Sequence, residues 1–125
     1  MKQLFLAAAL IAVPVLGFST FHMITASPAL AASASLGDMS AFTTIIADVQ
    51  NLESTGDIAG AQNRITDWES AWDGAEVALR PKNGEAWNAI DMASDAALKA
   101  VRASTPDAAK TQTALADLIS ALKAN

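Results

Sequence analysis

Residues 58–80 read IAGAQNRITDWESAWDGAEVALR and carry the clearest helical pattern in the chain. Apolar and small side chains recur there every three or four residues, which places them on one face of an α-helix. Asp57, directly before the stretch, is a typical N-cap residue, and Pro81 disfavours helical backbone at the residue before it. The stretch therefore predicts one long bundle helix. Its buried face would consist of Ile58, Ala61, Ile65, Trp68, Trp72, Ala75 and Leu79.

Three further segments show the same spacing. We expect a first helix over residues 41–55 with Ser40 as its N-cap, a third over residues 85–104, and a fourth that begins at Asp107. The predicted buried face of the first helix consists of Phe42, Ile45, Ile46, Val49 and Leu52. That of the third consists of Trp87, Ile90, Ser94, Ala97, Leu98 and Val101. That of the fourth consists of Ala108, Thr111, Leu115, Leu118, Ile119 and Leu122. No segment alternates as a strand would. Short connections between long helices favour antiparallel neighbours, so the predicted fold is all-α, an up-down-up-down four-helix bundle.

The second and fourth predicted helices resemble each other at an offset of 50 residues. Segments 54–72 and 104–122 align without a gap and share eight identical residues. Among these are Asp57 with Asp107, and Gln62 with Gln112. Duplication of a helical hairpin would explain the similarity. Chance recurrence of capping residues and alanines would explain it as well, and the sequence leaves both open.

Residues 1–31 have the composition of a secretory signal peptide. Lys2 is the only charged residue, an apolar run extends from Leu4 to Phe18, and small residues follow. Cleavage is predicted after Ala31 or after Ala34. The alternative is an uncleaved membrane anchor, although the run is shorter than the ~20 apolar residues that a span needs.

This organisation predicts three parts: a signal peptide, a flexible leader over residues 32–40 and a helical domain over residues 41–125. The alanine-rich style of the signal is typical of bacteria. We therefore expect a periplasmic or secreted protein, which would contact a membrane only through an uncleaved signal segment.

Composition excludes several classes of function. The 125 residues include 8 Lys and Arg, 13 Asp and Glu, one His and no Cys. Cleavage would remove Lys2 and His22 and leave 7 basic against 13 acidic residues, a net charge of −6. Such acidity argues against nucleic-acid binding, and without Cys or His the domain cannot hold haem. We expect no cofactor and no catalysis, with a carboxylate-based enzyme as the weakest alternative.

The three tryptophans are the first candidate site. Trp68 and Trp72 lie one turn apart on the apolar face, and Trp87 would lie within about two turns of Trp72 if the second and third helices are antiparallel. They could fill a core that is otherwise rich in alanine. They could instead anchor a pocket or a partner surface. Their spacing on the apolar face favours the core.

The acidic residues of the second and third helices are the second candidate site. Glu69, Asp73 and Glu76 share one helix face, and Asp91 and Asp95 lie one turn apart. Clustered carboxylates can hold a hard divalent cation, but a di-metal site in a bundle normally also uses histidine. The alternative is a solvated surface with local ion pairs, Glu76 with Arg80 and Asp95 with Lys99.

The segment over residues 55–105 also carries the runs GDIAGA at 56–61, RITDWESAWD at 64–73, AE at 75–76 and LRP at 79–81, followed by Trp87 and the pair Ile90-Asp91. In these runs the chain resembles small exported bacterial α-helical proteins of uncharacterised function. The resemblance implies an exported helical protein and implies no activity or site residue.

We expect an accessory protein of the bacterial envelope that contacts a protein partner or itself. The alternative is a periplasmic protein that binds a small ligand or a divalent cation through its acidic faces.

Overall fold

The computed structural model describes residues 35–125, which form four helices and no strand. The helices are α1 (Ser40–Ser54), α2 (Ile58–Leu79), α3 (Gly84–Val101) and α4 (Ala108–Lys123). The all-α prediction is confirmed for this part of the chain. The predicted signal peptide lies outside the described residues. Among α1 to α4, no helix combines the length and the apolar character that a membrane crossing would require.

The four helices contact one another in a ring, in which each helix packs against two others and α4 returns to α1. Side-chain contacts show their relative directions. Phe42 near the start of α1 packs on Trp72, whereas Asp48 further along α1 meets Arg64 earlier in α2, so the two helices run antiparallel. The contacts of α2 with α3 and of α1 with α4 run antiparallel by the same criterion. This arrangement is consistent with the predicted up-down-up-down bundle.

Three of the four helices begin with a side-chain cap. Asp57, Asn83 and Asp107 each accept a hydrogen bond from the backbone N–H three residues further on, at 2.9, 3.0 and 3.0 Å. These bonds satisfy N–H groups that have no partner inside the helix. Gly56 adopts a φ of +80° just after α1, a backbone conformation that favours glycine and allows the sharp turn into α2.

Several predicted helix ends differ from the structure by one residue, and the end of the third helix differs by three. Ser40 is the first residue of α1 rather than its N-cap, and its N–H donates to Asp38 at 2.8 Å. Met39 occupies the N-cap position and makes no side-chain cap bond. The third helix ends at Val101, three residues before the predicted end, because the chain already leaves helical hydrogen bonding ahead of Pro106.

Part of the predicted flexible leader is packed against the bundle. Leu36 and Met39 are buried in the core cluster. The backbone N–H of Leu36 donates to the side chain of Asn125, which joins the segment before α1 to the end of α4. An isolated Leu and Met on either side of Gly37 have no helical period, so the sequence pattern could not indicate this long-range packing.

The predicted apolar faces supply the core. Its fully buried members within the helices include Ile46 and Val49 of α1; Ala61, Ile65, Trp68 and Trp72 of α2; Trp87, Ile90, Ala97 and Val101 of α3; and Leu115, Leu118 and Leu122 of α4. One charged residue, Glu53, is also buried at the end of α1, although the sequence pattern did not predict it.

Helices α2 and α4 also repeat each other in the structure. Positions separated by 50 residues are buried in both helices, as in the pair Ile65 and Leu115. Gln62 Nε2 donates to the backbone oxygen of Val101 at 3.3 Å, and Gln112 Nε2 donates to that of Gln50 at 3.1 Å. Each glutamine therefore reaches the C-terminal half of the adjacent helix in the other hairpin.

Candidate functional site

The three tryptophans and Phe42 form one group of packed rings, which we call the aromatic stack. The rings of Trp72 and Trp87 lie parallel with their centroids 3.9 Å apart, and those of Trp68 and Trp72 lie 5.3 Å apart. Phe42 contacts Trp68 and Trp72 edge-on, at 5.8 and 5.5 Å. Only 0, 2 and 3% of Trp68, Trp72 and Trp87 is exposed. The stack therefore fills the interior between α1, α2 and α3.

Both α2 tryptophans also have polar anchors on α3. Trp68 Nε1 donates to Ser94 Oγ at 2.7 Å, and Trp72 Nε1 donates to Asp91 Oδ1 at 3.2 Å. A buried indole N–H needs such an acceptor, and the two bonds fix how α2 lies against α3. A partner surface would require exposed rings. These tryptophans therefore belong to the core, and a docking site cannot rest on them.

The Ser94 anchor leads to a stability prediction. Replacing Ser94 by alanine leaves the buried N–H of Trp68 without its acceptor. We expect the free energy of unfolding, measured by urea denaturation, to fall by about 1–3 kcal/mol. The exposed Ser120→Ala substitution in α4 is the control and should change it by less than about 0.5 kcal/mol. Equal stability of both variants and the parent would contradict the proposed anchoring role.

Two of the three acidic candidates on α2 form ion pairs with arginines, and the three do not form one cluster. Glu69 Oε2 lies 2.6 Å from Arg102 beyond the end of α3, and this hydrogen bond lowers the pKa of the Glu69 carboxyl. Glu76 pairs with Arg80 at 2.7 Å, as its spacing predicted. Asp73 is exposed.

The acidic candidates on α3 are separated as well. Asp91 accepts the indole N–H of Trp72, whereas Asp95 is exposed and forms no ion pair with Lys99 in the described structure. Within residues 35–125, no three acidic, histidine or cysteine side chains are close enough to hold a metal ion. The structure thus does not bring the five acidic candidates into one site.

Two buried polar groups were not recognised as unusual from the sequence. Glu53 is 8% exposed, and its Oε1 has no hydrogen-bond partner; burial raises the pKa of its carboxyl. Thr111 is 1% exposed, and its Oγ1 also has no partner. The spacing of Ile46, Val49 and Glu53 is the sequence signal that could have placed Glu53 on the buried face.

A surface groove of about 390 Å³ lies between α3 and α4, near the connection that joins them. We call it the α3–α4 groove. Its polar lining consists of Lys99, Thr105, Asp107, Lys110 and Thr111, and alanines form the rest. An adjoining depression of about 320 Å³ shares Lys110 and continues along the two helices. This groove is open to solvent and separate from the aromatic stack.

The chain was compared with protein-family models, with curated proteins and with solved structures. None of the three comparisons finds a match.

Proposed function

We propose that the chain is an exported, non-catalytic binding or accessory protein of the bacterial envelope that acts through contacts with another protein. The observation that carries the proposal is the exposure of two large apolar side chains, Val77 and Met92, on the outside of α2 and α3, whereas the aromatic stack occupies the interior of the bundle. A partner then has only the outer helix faces to contact. The signal-like composition of residues 1–31 supports export.

The outer faces of α2 and α3 are the best place to look for such a contact. Val77 is 88% exposed and Met92 is 74% exposed, and they are the large apolar side chains that the described surface leaves open. Single exposed apolar residues are common on soluble proteins, so their role needs a direct test.

Site-specific photo-crosslinking in the living cell provides this test. A photoreactive amino acid would be placed at position 77 or 92 of the full chain, with the exposed Ala116 of α4 as the control position. We expect an adduct with an envelope protein at 77 or 92 and none at 116. An adduct of twice the chain's mass would identify self-association. Retention of the chain in the cytoplasm, or no adduct at 77 and 92, would contradict the proposal.

Hairpin duplication is the finer part of the architectural proposal. Two observations support duplication. Gln62 and Gln112 make equivalent hydrogen bonds to neighbouring helices, and equivalent positions of α2 and α4 are buried. If the two hairpins are equivalent, Gln62→Ala and Gln112→Ala should each lower the free energy of unfolding by about 0.5–1.5 kcal/mol in urea denaturation. A clear loss in one variant and none in the other would argue against structural equivalence.

A further inference from the structure

We propose that the connection between α2 and α3 is a site of spontaneous covalent modification, at which Asn83 converts to aspartate and isoaspartate. The proposal does not depend on the protein-contact function above, because it concerns a reaction within the chain itself. It rests on the pair Asn83-Gly84, on the hydrogen bonds of its atoms and on the position of Trp87 in the following turn.

The reaction needs only these two residues and water. The backbone nitrogen of Gly84 loses its proton to hydroxide and attacks Cγ of Asn83, while Nδ2 takes up a proton from water and leaves as ammonia. A succinimide ring results. Water then opens the ring at Cγ to give aspartate, or at the former backbone carbonyl to give isoaspartate. Glycine favours the attack because it has no side chain to hinder its nitrogen and leaves the backbone free to turn.

The reacting nitrogen atoms are free in the described structure. Gly84 is the first residue of α3, so its N–H is one of those that have no partner inside the helix. Among residues 35–125, neither this nitrogen nor Nδ2 of Asn83 forms a hydrogen bond. Gly84 is also exposed, and no other part of the fold lies within 4 Å of the point where a side chain would begin. Nothing therefore shields the attacking nitrogen.

One capping bond opposes the reaction. Oδ1 of Asn83 accepts the backbone N–H of Ala86 at 3.0 Å, so the side chain must leave the cap before Cγ can approach the nitrogen of Gly84. The preceding residues 80–82 are exposed, and the connection can turn without disturbing the core. A single cap is a weak restraint, so the folded chain should still react.

The pair Asp73-Gly74 offers a comparison within the same chain. An aspartate before a glycine can form the same ring, with loss of water instead of ammonia. Gly74, however, lies inside α2, where the helical hydrogen bonds hold its N–H. The other asparagines of the chain do not precede glycine; they are Asn51, Asn63, Asn88 and Asn125. Sequence and structure together therefore direct the reaction to the α2–α3 connection.

The two products should affect α3 differently. Aspartate keeps an oxygen in the cap position, and its charge is favourable at a helix N-terminus. Isoaspartate adds a methylene group to the main chain and displaces the backbone oxygen of residue 83, which accepts the N–H of Trp87 at 3.0 Å. Because Trp87 stacks on Trp72, isoaspartate should loosen the aromatic stack, whereas aspartate should not.

The reaction can be followed by incubating the folded full chain at mildly alkaline pH and mapping the products by peptide mass spectrometry. We expect a gain of about 1 Da at Asn83, with Asn63 and Asn88 unchanged. A synthetic peptide of residues 80–86 gives the rate without the fold. Because only a capping bond must break, Asn83 should react no more than about tenfold more slowly in the chain than in the peptide. A slower reaction, or isoaspartate at Asp73 as fast as at Asn83, would overturn the proposal.

Matched variants connect the products to the fold. Gly84→Ala fits the open space and should slow the modification of Asn83 several-fold or more. Asn83→Asp supplies the aspartate product, and its tryptophans should be quenched by acrylamide as weakly as those of the parent. The isoaspartate form, separated by chromatography, should be quenched more strongly. Circular dichroism would verify that each form is folded. Equal quenching of the aspartate and isoaspartate forms, or an unchanged rate in Gly84→Ala, would refute the proposal.

Discussion

Replacing Trp72 by alanine is expected to lower the free energy of unfolding by about 3–5 kcal/mol, a large part of the stability of a small domain. Trp72 lies between the rings of Trp68 and Trp87, meets the edge of Phe42 and donates to Asp91. Its removal would leave a cavity at the centre of the stack and would remove one of the hydrogen bonds that join α2 to α3. Urea denaturation followed by circular dichroism would measure the loss.

Two control variants distinguish this packing effect from a general effect of mutation. Trp72→Phe retains an aromatic ring but loses the N–H, so its stability should lie between those of the parent and Trp72→Ala. The exposed Val77→Ala substitution in the same helix should change stability by less than about 0.5 kcal/mol. A loss below about 1 kcal/mol in Trp72→Ala would mean that the stack does not hold the bundle together.

Replacing Glu53 by leucine is expected to raise the free energy of unfolding at pH 7 by about 1–3 kcal/mol. Glu53 is buried on the apolar face of α1, and its Oε1 has no hydrogen-bond partner. An apolar side chain of similar size removes the cost of desolvating this carboxyl. Asp73→Leu, at an exposed position of α2, controls for the change in net charge and should give no such gain.

The same residue should make stability depend on pH. Burial raises the pKa of the Glu53 carboxyl, so the folded protein binds this proton more tightly than the unfolded chain does. The resulting stabilisation is fully present below the unfolded pKa and is lost as the pH rises through the folded pKa. In the Glu53→Gln variant the carboxyl is replaced by an amide, which does not titrate in this pH range. The stability of the parent relative to Glu53→Gln should therefore fall as the pH rises above the ordinary glutamate pKa of 4.5. A difference that rises with pH would contradict the burial of this group.

The helices and their buried faces could be predicted because both depend on local spacing. The period of three and four residues in 58–80 gave α2 almost to the residue, and Asp57 and Asp107 marked the starts of α2 and α4. The burial of Leu36 could not be predicted in this way. It depends on the end of α4, which is distant along the chain, and leaves no periodic signal near Gly37.

The candidate sites were less accessible to prediction because they depend on how the helices meet. Sequence spacing placed Trp68 and Trp72 on one face, but the register between α2 and α3 determines that Trp87 stacks on Trp72. Likewise, Glu69 was grouped with its acidic neighbours, whereas in the structure it pairs with Arg102, 33 residues away. The α3–α4 groove is lined by residues of both helices and of their connection, so no single stretch of the sequence indicates it.

The central claim is that the tryptophans form the core, so that any partner must meet the outer surface of the bundle. Quenching of tryptophan fluorescence by acrylamide tests it most directly, because all three indoles report on the same stack. We predict that the Stern–Volmer constant of the folded protein is several-fold smaller than that of the urea-unfolded chain. Equal constants in the two states would show that the indoles are exposed and would contradict the account.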